Sequence, residues 1–212
     1  MKTKSRNYPL VKAGTITKIE KQKRGKKYNL YLNEAFAFSI WEDTLIKFNL
    51  SSDRKLAEKE VKEVLKYDEK AKAVNSAYNL LGIRPRSKEE LKQRLSQRYP
   101  PDVVKKTIQA LEKKKLLSDS SFCYFWVDVA NRKLKSQRQI RFELYQKKVP
   151  EEKIQKALAG ITNKQELEKA KKIVDKVKNR YRNFSEFERK QKLQNLLARR
   201  GFRWEIIKEV VK

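Results

Sequence analysis

Apolar positions recur along the second half of the chain at a fixed rhythm. Leu144, Val149, Ile154 and Leu158 are spaced by 5, 5 and 4 residues, and Leu197, Phe202, Ile207 and Val211 repeat those intervals. An earlier series runs Leu91, Leu95, Val104, Ile108 and Leu111, interrupted by Tyr99-Pro100-Pro101. Apolar residues three or four apart form one stripe on a helix. A break marked by Pro or Gly then starts a second amphipathic helix. Each series follows a serine with Glu or Gln three positions later: Ser87/Glu90, Ser136/Gln139 and Ser185/Glu188, with the serines 49 residues apart. In this capping box the hydroxyl accepts from an unpaired N–H of the first turn, and the acid or amide reaches back to the cap's own N–H. Thr17/Glu20 and Ser39/Glu42 also match but without the downstream stripe, and are read as fortuitous. The even spacing and the shared stripe predict an internal repeat, with the third copy one helical turn longer before its loop.

A helix is also predicted ahead of each cap. Residues from about Tyr67 to Leu81 are helical in composition and end at Gly82, with Pro85 blocking continuation. Residues 119–133 and 164–182 stand in the same place in the next copies, the last with a Thr162/Gln165 box of its own. Leu116-Leu117-Ser118-Asp119 joins copies one and two, with Ser118 or Asp119 as N-cap. Each copy is therefore three helices, over residues 67–118, 119–161 and 162–212. Units this small cannot bury a stripe alone, so the copies should stack as a short solenoid. Residues 1–66 differ. Tyr28, Leu30 and Leu32 alternate with Asn29, Tyr31 and Asn33, residues 35–40 alternate again, and Lys23-Arg24-Gly25-Lys26 and Asn33-Glu34 read as turns. That predicts a small antiparallel β element. Beyond Glu42, Leu45, Ile46 and Leu50, then Leu56, Val61, Val64 and Leu65, predict helices broken near Ser51-Ser52-Asp53. The fold class is mainly α.

Charge narrows the function. Lys and Arg number 54 against 26 Asp and Glu, a formal net charge of +28. It is distributed, with +7 over residues 1–50, +12 over 51–163 and +9 over 164–212, so no single tail accounts for it. Such a surface attracts polyanions, which points to a nucleic acid or a nucleoprotein assembly; a helical protein from a lysine-rich proteome is the plainer alternative. With no His in the chain, imidazole chemistry and His-ligated metal are excluded, and one Cys excludes structural zinc. The five glycines form no phosphate-binding or dinucleotide fingerprint. Glu89-Glu90 and Glu151-Glu152 fall in predicted first turns, where the helix dipole favours acids. No enzyme activity, cofactor or metal is expected. Cys123, inside the apolar run 122–127, reads as a small core residue in a reducing compartment. No apolar stretch reaches the roughly 20 residues that span a bilayer, and Met1–Arg6 is not followed by a secretory apolar region, so a cytoplasmic protein is expected.

Leu81-Gly82-Ile83-Arg84-Pro85-Arg86-Ser87-Lys88-Glu89-Glu90-Leu91-Lys92-Gln93-Arg94-Leu95 resembles the "RPRS-x-x-EL" signature of the RecX regulatory proteins. Leu116-Leu117-Ser118-Asp119 resembles their "LL-x-D" junction, and Arg199-Arg200-Gly201-Phe202 their "RRGF", in the same order and over about residues 67–212. Two positions depart from the pattern: Lys115 or Leu116 replaces a glycine before the junction, and Lys148 replaces one after the second middle helix, which puts those turns at stake. The resemblance implies three tandem three-helix repeats in an elongated, curved array. It also implies a monomer that binds the RecA recombinase filament along its groove, touches more than one subunit, and lowers its ATPase and strand-exchange activity in recombination and DNA repair under the SOS response. Some members also bind single- or double-stranded DNA. The β element resembles an extension found in part of the family and carries no function here.

Candidate binding residues follow from the repeats. Arg84 and Arg86 flank Pro85, and Lys92, Arg94 and Arg98 follow on the next helix; their counterparts are Arg138, Arg141 and Lys147, then Arg189, Lys192, Arg199 and Arg200. Basic residues in one place on successive repeats would form a stripe for a phosphate backbone or an acidic protein groove. Solvated helix faces are the competing reading, and a basic DNA- or RNA-binding protein acting without RecA is the competing function. Phe122, Phe125, Trp126 and Val129 fall at i, i+3, i+4 and i+7 and are predicted core, as are Phe187, Phe202 and Trp204; Tyr28, Tyr31 and Trp41 are left open.

Overall fold

The computed structural model describes residues 13–23 and 25–212; Met1–Arg6 and Arg24 of the first predicted turn lie outside them. Four strands, β1 (Gly14–Lys21), β2 (Lys27–Leu32), β3 (Ala35–Trp41) and β4 (Lys55–Leu56), form an antiparallel sheet in the order β3-β2-β1-β4. The period-two reading holds: Ile16, Leu30, Leu32, Phe38 and Ile40 are buried on one face. Asn33 and Glu34 have φ of 49° and 69°, the two left-handed positions of a tight hairpin turn, which Asn tolerates well. Thr17 and Ser39 lie within strands, so their apparent boxes cap nothing.

Ten helices are seen among the described residues. Helix α1 (Glu42–Lys47) precedes α2 (Glu58–Ile83), α3 (Lys88–Ser96) and α4 (Pro101–Lys113). They are followed by α5 (Asp119–Arg132), α6 (Gln137–Gln146) and α7 (Glu151–Leu158), then α8 (Asn163–Val177), α9 (Glu186–Arg199) and α10 (Trp204–Val210). A 3-10 turn, Lys178–Tyr181, extends α8. Two expectations are corrected. Leu56 belongs to β4, paired with Gly14, and not to a helix. The helices predicted on either side of residue 66 are one, since no Gly or Pro interrupts residues 58–81. Asp68, almost fully buried in that helix, accepts from Trp41 N–H (2.7 Å) and Thr44 Oγ1 (3.0 Å) and pairs with Lys72 (2.5 Å), which ties the helix middle to the sheet and α1.

Two compact units result: the chain up to Arg84 with Leu91–Lys114, and Pro85–Glu90 with Lys115–Lys212. In the first, the sheet residues pack with Leu50, Leu56, Val61, Val64 and Leu65, while α2 packs on α4. The second has two cores. One gathers Phe122, Cys123, Val127, Ala130, Ile140, Leu144, Val149, Ile154 and Leu158; the other gathers Ala170, Ile173, Leu193, Leu197, Phe202, Ile207 and Val211. Both stripes read from the sequence are there. The inward seam of α5, however, runs through Cys123, Val127 and Ala130 and leaves Phe125 exposed and Val129 half-buried. Phe187 (76% exposed) and Trp204 (50% exposed) are also outside the core. Phe187 sits in the added first turn of α9, beyond the core's reach, and Trp204 opens α10 with Lys208 over its ring.

The helix ends keep their geometry without glycine. Lys148 N–H bonds to Tyr145 C=O (2.9 Å) and Val149 N–H to Leu144 C=O (3.3 Å); Gly201 and Phe202 bond alike to Ala198 (2.9 Å) and Leu197 (3.2 Å). This is the Schellman arrangement, with the residue just past the helix cap in the left-handed region. Lys148 holds φ 57° where Gly201 holds 78°, and Lys115 also holds 57°.

Candidate binding surface on the repeats

All three serines cap their helices. Ser87, Ser136 and Ser185 each accept through Oγ from the N–H three residues on, at 3.1, 3.2 and 3.3 Å, and Ser185 N–H bonds back to Glu188. Two of these serines do more. Ser87 Oγ donates to Lys147 C=O (3.0 Å) and Ser136 Oγ to Arg200 C=O (2.7 Å), each at the end of the following copy's middle helix. The next N–H along is also held by the following copy. Lys88 N–H bonds to Asp119 Oδ1 (2.8 Å), and Gln137 N–H to both carboxylate oxygens of Glu166 (3.2 Å each). Asp119 and Glu166 are buried, and a carboxylate at a helix N-terminus is favoured by the helix dipole. Lys169, buried beside Glu166 at 3.0 Å, completes that charge balance. Sequence reading found Asp119 only as a cap candidate and missed Glu166. The two acids stand at different positions in their helices, so no fixed spacing marks them.

Aligning the copies on their buried pairs, Leu91/Leu95, Ile140/Leu144 and Leu193/Leu197, places Arg98, Lys147 and Arg200 in one equivalent position. Their N–H groups reach back to Leu95, Leu144 and Leu197 C=O at 2.9, 3.1 and 3.1 Å. Each middle helix therefore ends in a cation, where the dipole favours one. The carbonyls of Lys147 and Arg200 are also the ones the preceding serines hold. Lys92 and Arg141 share a second position, occupied by Gln194 in the third copy. The correspondence fails elsewhere, between the first two copies as well as with the third: Arg94 meets Glu143 and Leu196, and Arg138 meets Glu89 and Gln191.

The remaining predicted residues divide by surroundings. Arg86 is 8% exposed and pairs with Glu90 at 2.8 Å, so it is part of the fold and not a surface contact. Arg84 is half-buried in the same loop. Lys92, Arg94, Arg98, Arg138, Arg189, Arg199 and Arg200 are exposed. Arg94 and Arg98 line a cleft of about 200 Å³ with Ser76 and Tyr99 in the first unit. Lys192 and Arg199 line a groove of about 530 Å³ with Tyr181 and Asn195 in the second. Arg141 pairs with Glu151 on the surface. Lys147 lies 4.3 Å over the Trp126 ring, and Lys192 4.3 Å over Phe184, which orients both cations without neutralising them.

Among the described residues, no group of three or more Cys, Asp and Glu is placed to hold a metal. Burial, and next the nearby Asp119 carboxylate, push the Cys123 thiol up to about 11, far from a nucleophile's range. Among the described residues, no helix is long and apolar enough to cross a membrane.

Residues 14–57 match the regulatory protein RecX N-terminal domain, residues 73–111 the first three-helix domain of RecX, and residues 164–211 the third. A Regulatory protein RecX of Limosilactobacillus reuteri is 34% identical over 92% of this chain and 76% of its own length. That of Clostridioides difficile is 30% identical over 93% and 94%. A crystal structure of a regulatory protein RecX, 32% identical, superposes with a TM-score of 0.71 over 93% of this chain and 98% of its own. RecX from Lactobacillus salivarius, 25% identical, superposes at 0.63 over 68% and 96%. With its sheet and helix triplets, its capped middle helices and these likenesses, the chain belongs to the RecX family of regulatory proteins.

Proposed function

We propose that this protein binds the RecA filament as a non-catalytic regulator and lowers its ATPase and strand-exchange activity. The observation that carries this reading is family membership in a chain of net charge +28 whose middle helices each end in a cation, at Arg98, Lys147 and Arg200. RecA itself enters through the resemblance in residues 81–95 and 199–202. Residues 67–118, 119–161 and 162–212 act as three modules of a monomer in the cytoplasm, each contributing contacts to neighbouring filament subunits. Regulation then follows from differential affinity: a chain that binds one filament geometry better than another shifts the filament toward it, and by no more than that difference. Exposed cations on a polyanionic assembly make the effect fall with salt. The test is RecA ATPase on single-stranded DNA with substoichiometric protein added. The rate should fall, and Arg98→Gln/Lys147→Gln/Arg200→Gln should weaken the effect; an unchanged rate at every ratio of the parent protein rejects the reading.

A further inference from the structure

Of the three cations that end the middle helices, only Lys147 has an acid one turn before it. Glu143 stands four residues ahead of Lys147, where Arg98 follows Arg94 and Arg200 follows Leu196 at the same interval. Glu followed by Lys at i and i+4 is the favoured order for an ion pair along a helix. The pair is not made. Glu143 Oε1 accepts from Lys135 Nζ at 2.5 Å and Oε2 from Trp126 Nε1–H at 3.1 Å, so both oxygens are engaged. Lys147 Nζ lies instead 4.3 Å over the Trp126 ring and, among the described residues, makes no ion pair. A helical ion pair and a cation–ring contact are similar in size, so the occupancy of the carboxylate decides between them. The surroundings are fixed. Trp126 leans on the buried ring of Phe122, with 5.7 Å between centroids. Lys135 follows Leu134, whose left-handed φ of 55° closes the end of α5: Leu134 N–H bonds to Asn131 C=O at 2.9 Å and Lys135 N–H to Ala130 C=O at 3.1 Å. Lys147 is held through its carbonyl by Ser87. The Lys135 and Glu143 side chains are only 25% and 19% exposed, which shelters their pair from solvent.

We propose that Lys135 is a positioning residue for Lys147: by occupying Glu143 it leaves the terminal ammonium of the second repeat unneutralised, a role that rests on Lys147 being a contact to the partner. The first and third repeats need no such residue, because Arg94 and Leu196 offer Arg98 and Arg200 no carboxylate. The positions ahead of the cap serines differ accordingly. Lys135 precedes Ser136, whereas Arg86 ahead of Ser87 pairs with Glu90 in the first turn of α3, and Phe184 ahead of Ser185 carries Lys192 over its ring. Without Lys135, Glu143 has one oxygen free and Lys147 one turn away. Pairing there would cancel the charge that a polyanionic surface meets. Lys135 is itself poorly placed to make that contact, since its ammonium is sheltered and already committed to Glu143.

The experiment uses two readouts on the full chain. Acylation of Lys147 by trace acetic anhydride, followed by peptide mass spectrometry, reports its ion pairing without RecA; RecA ATPase on single-stranded DNA reports the contact. In Lys135→Met, Lys147 should acylate at least about twofold more slowly, because a carboxylate partner holds its proton. The concentration for half-inhibition of the ATPase should rise about two- to fivefold, as it should in Lys147→Gln. Lys135→Met should add nothing in the Lys147→Gln background. Lys135→Arg should keep both readouts at parent values. The decisive variant is Lys135→Met/Glu143→Gln: the amide oxygen still accepts from Trp126 but cannot neutralise Lys147, so both readouts should return to parent values. Protection of the buried Cys123 from thiol reagents shows that the second unit is folded in each variant. A role of Lys135 in folding alone, or in touching the filament itself, would not be rescued by a change at Glu143. A loss that persists in the double variant therefore overturns the proposal, as does Lys135→Met with unchanged acylation of Lys147. If the parent chain leaves the ATPase unchanged, the RecA reading falls, while the acylation series still upholds or overturns the placement of Lys147.

Discussion

Replacing Ser136 by Ala should cost far more than replacing Ser185 by Ala, although both residues cap middle helices. Ser136 is fully buried; its Oγ accepts from Gln139 N–H at 3.2 Å and donates to Arg200 C=O at 2.7 Å. Its removal loses an N-cap, about 1 kcal/mol. It also takes the hydroxyl from a carbonyl at the junction of two copies, about another 1 kcal/mol. Ser185 is exposed and its hydroxyl serves only its own helix, with Glu188, so the expected loss is about 0.5–1 kcal/mol. For a unit of about 100 residues, 2 kcal/mol lowers the melting temperature by on the order of 10 °C, and the smaller loss by a few degrees. The chain has two compact units, so the assay should report on the second alone. Cys123, buried in that unit, does so: thiol labelling during a thermal ramp marks its unfolding. Equal shifts for the two variants would refute the idea that these serines join one copy to the next.

Lys148→Gly should stabilise the second unit by about 0.5–1 kcal/mol by relieving a left-handed backbone, whereas Gly201→Ala should cost about 1–2 kcal/mol; denaturant titration reads both. The alanine Cβ at 201 would also stand 2.9 Å from Ser136 Oγ. Arg86→Ala leaves Glu90 without its buried guanidinium and should cost about 3 kcal/mol in the same titration, while Arg94→Ala, on an exposed face, should stay within about 0.5 kcal/mol. Cys123 should resist thiol reagents at pH 8 until the protein unfolds, because its folded pKa is about 11. Bonds from Ser185 Oγ and then its N–H hold Glu188 below the ordinary carboxylate value of 4.5. Its contribution is therefore present above that value and is lost as pH falls through the lowered one. Glu188→Gln should flatten that part of a stability–pH curve.

Much of this was legible in the sequence because periodicity and cap chemistry are local. The serines, the stripes from Leu144 and Leu197, the Thr162 box and the hairpin turn at Asn33-Glu34 stand where their patterns place them. The failures have long-range causes. Leu56 pairs as a strand because Gly14 lies beside it, which no local pattern records. Asp68 ties the middle of α2 to Trp41 and Thr44, more than twenty residues away, a contact no local pattern records. Arg86 looks like its basic neighbours in the sequence, and only the fold buries it against Glu90. The aromatics mislead in both directions: Phe187 and Trp204 match an apolar rhythm yet face solvent, while nothing local marks the rings of Phe142 and Tyr145 as exposed. Hydrophobicity alone does not say which side of a helix its neighbours will cover.

The unbroken α2 has a mechanical consequence. At 1.5 Å per residue, its 26 residues make a strut about 39 Å long, held to the sheet from its first turns to its middle and packed against α4. A strut without proline or glycine before Gly82 has no built-in swivel. Torque applied at the strands is therefore delivered to α4 as rotation of a stiff rod, and not dissipated in a joint.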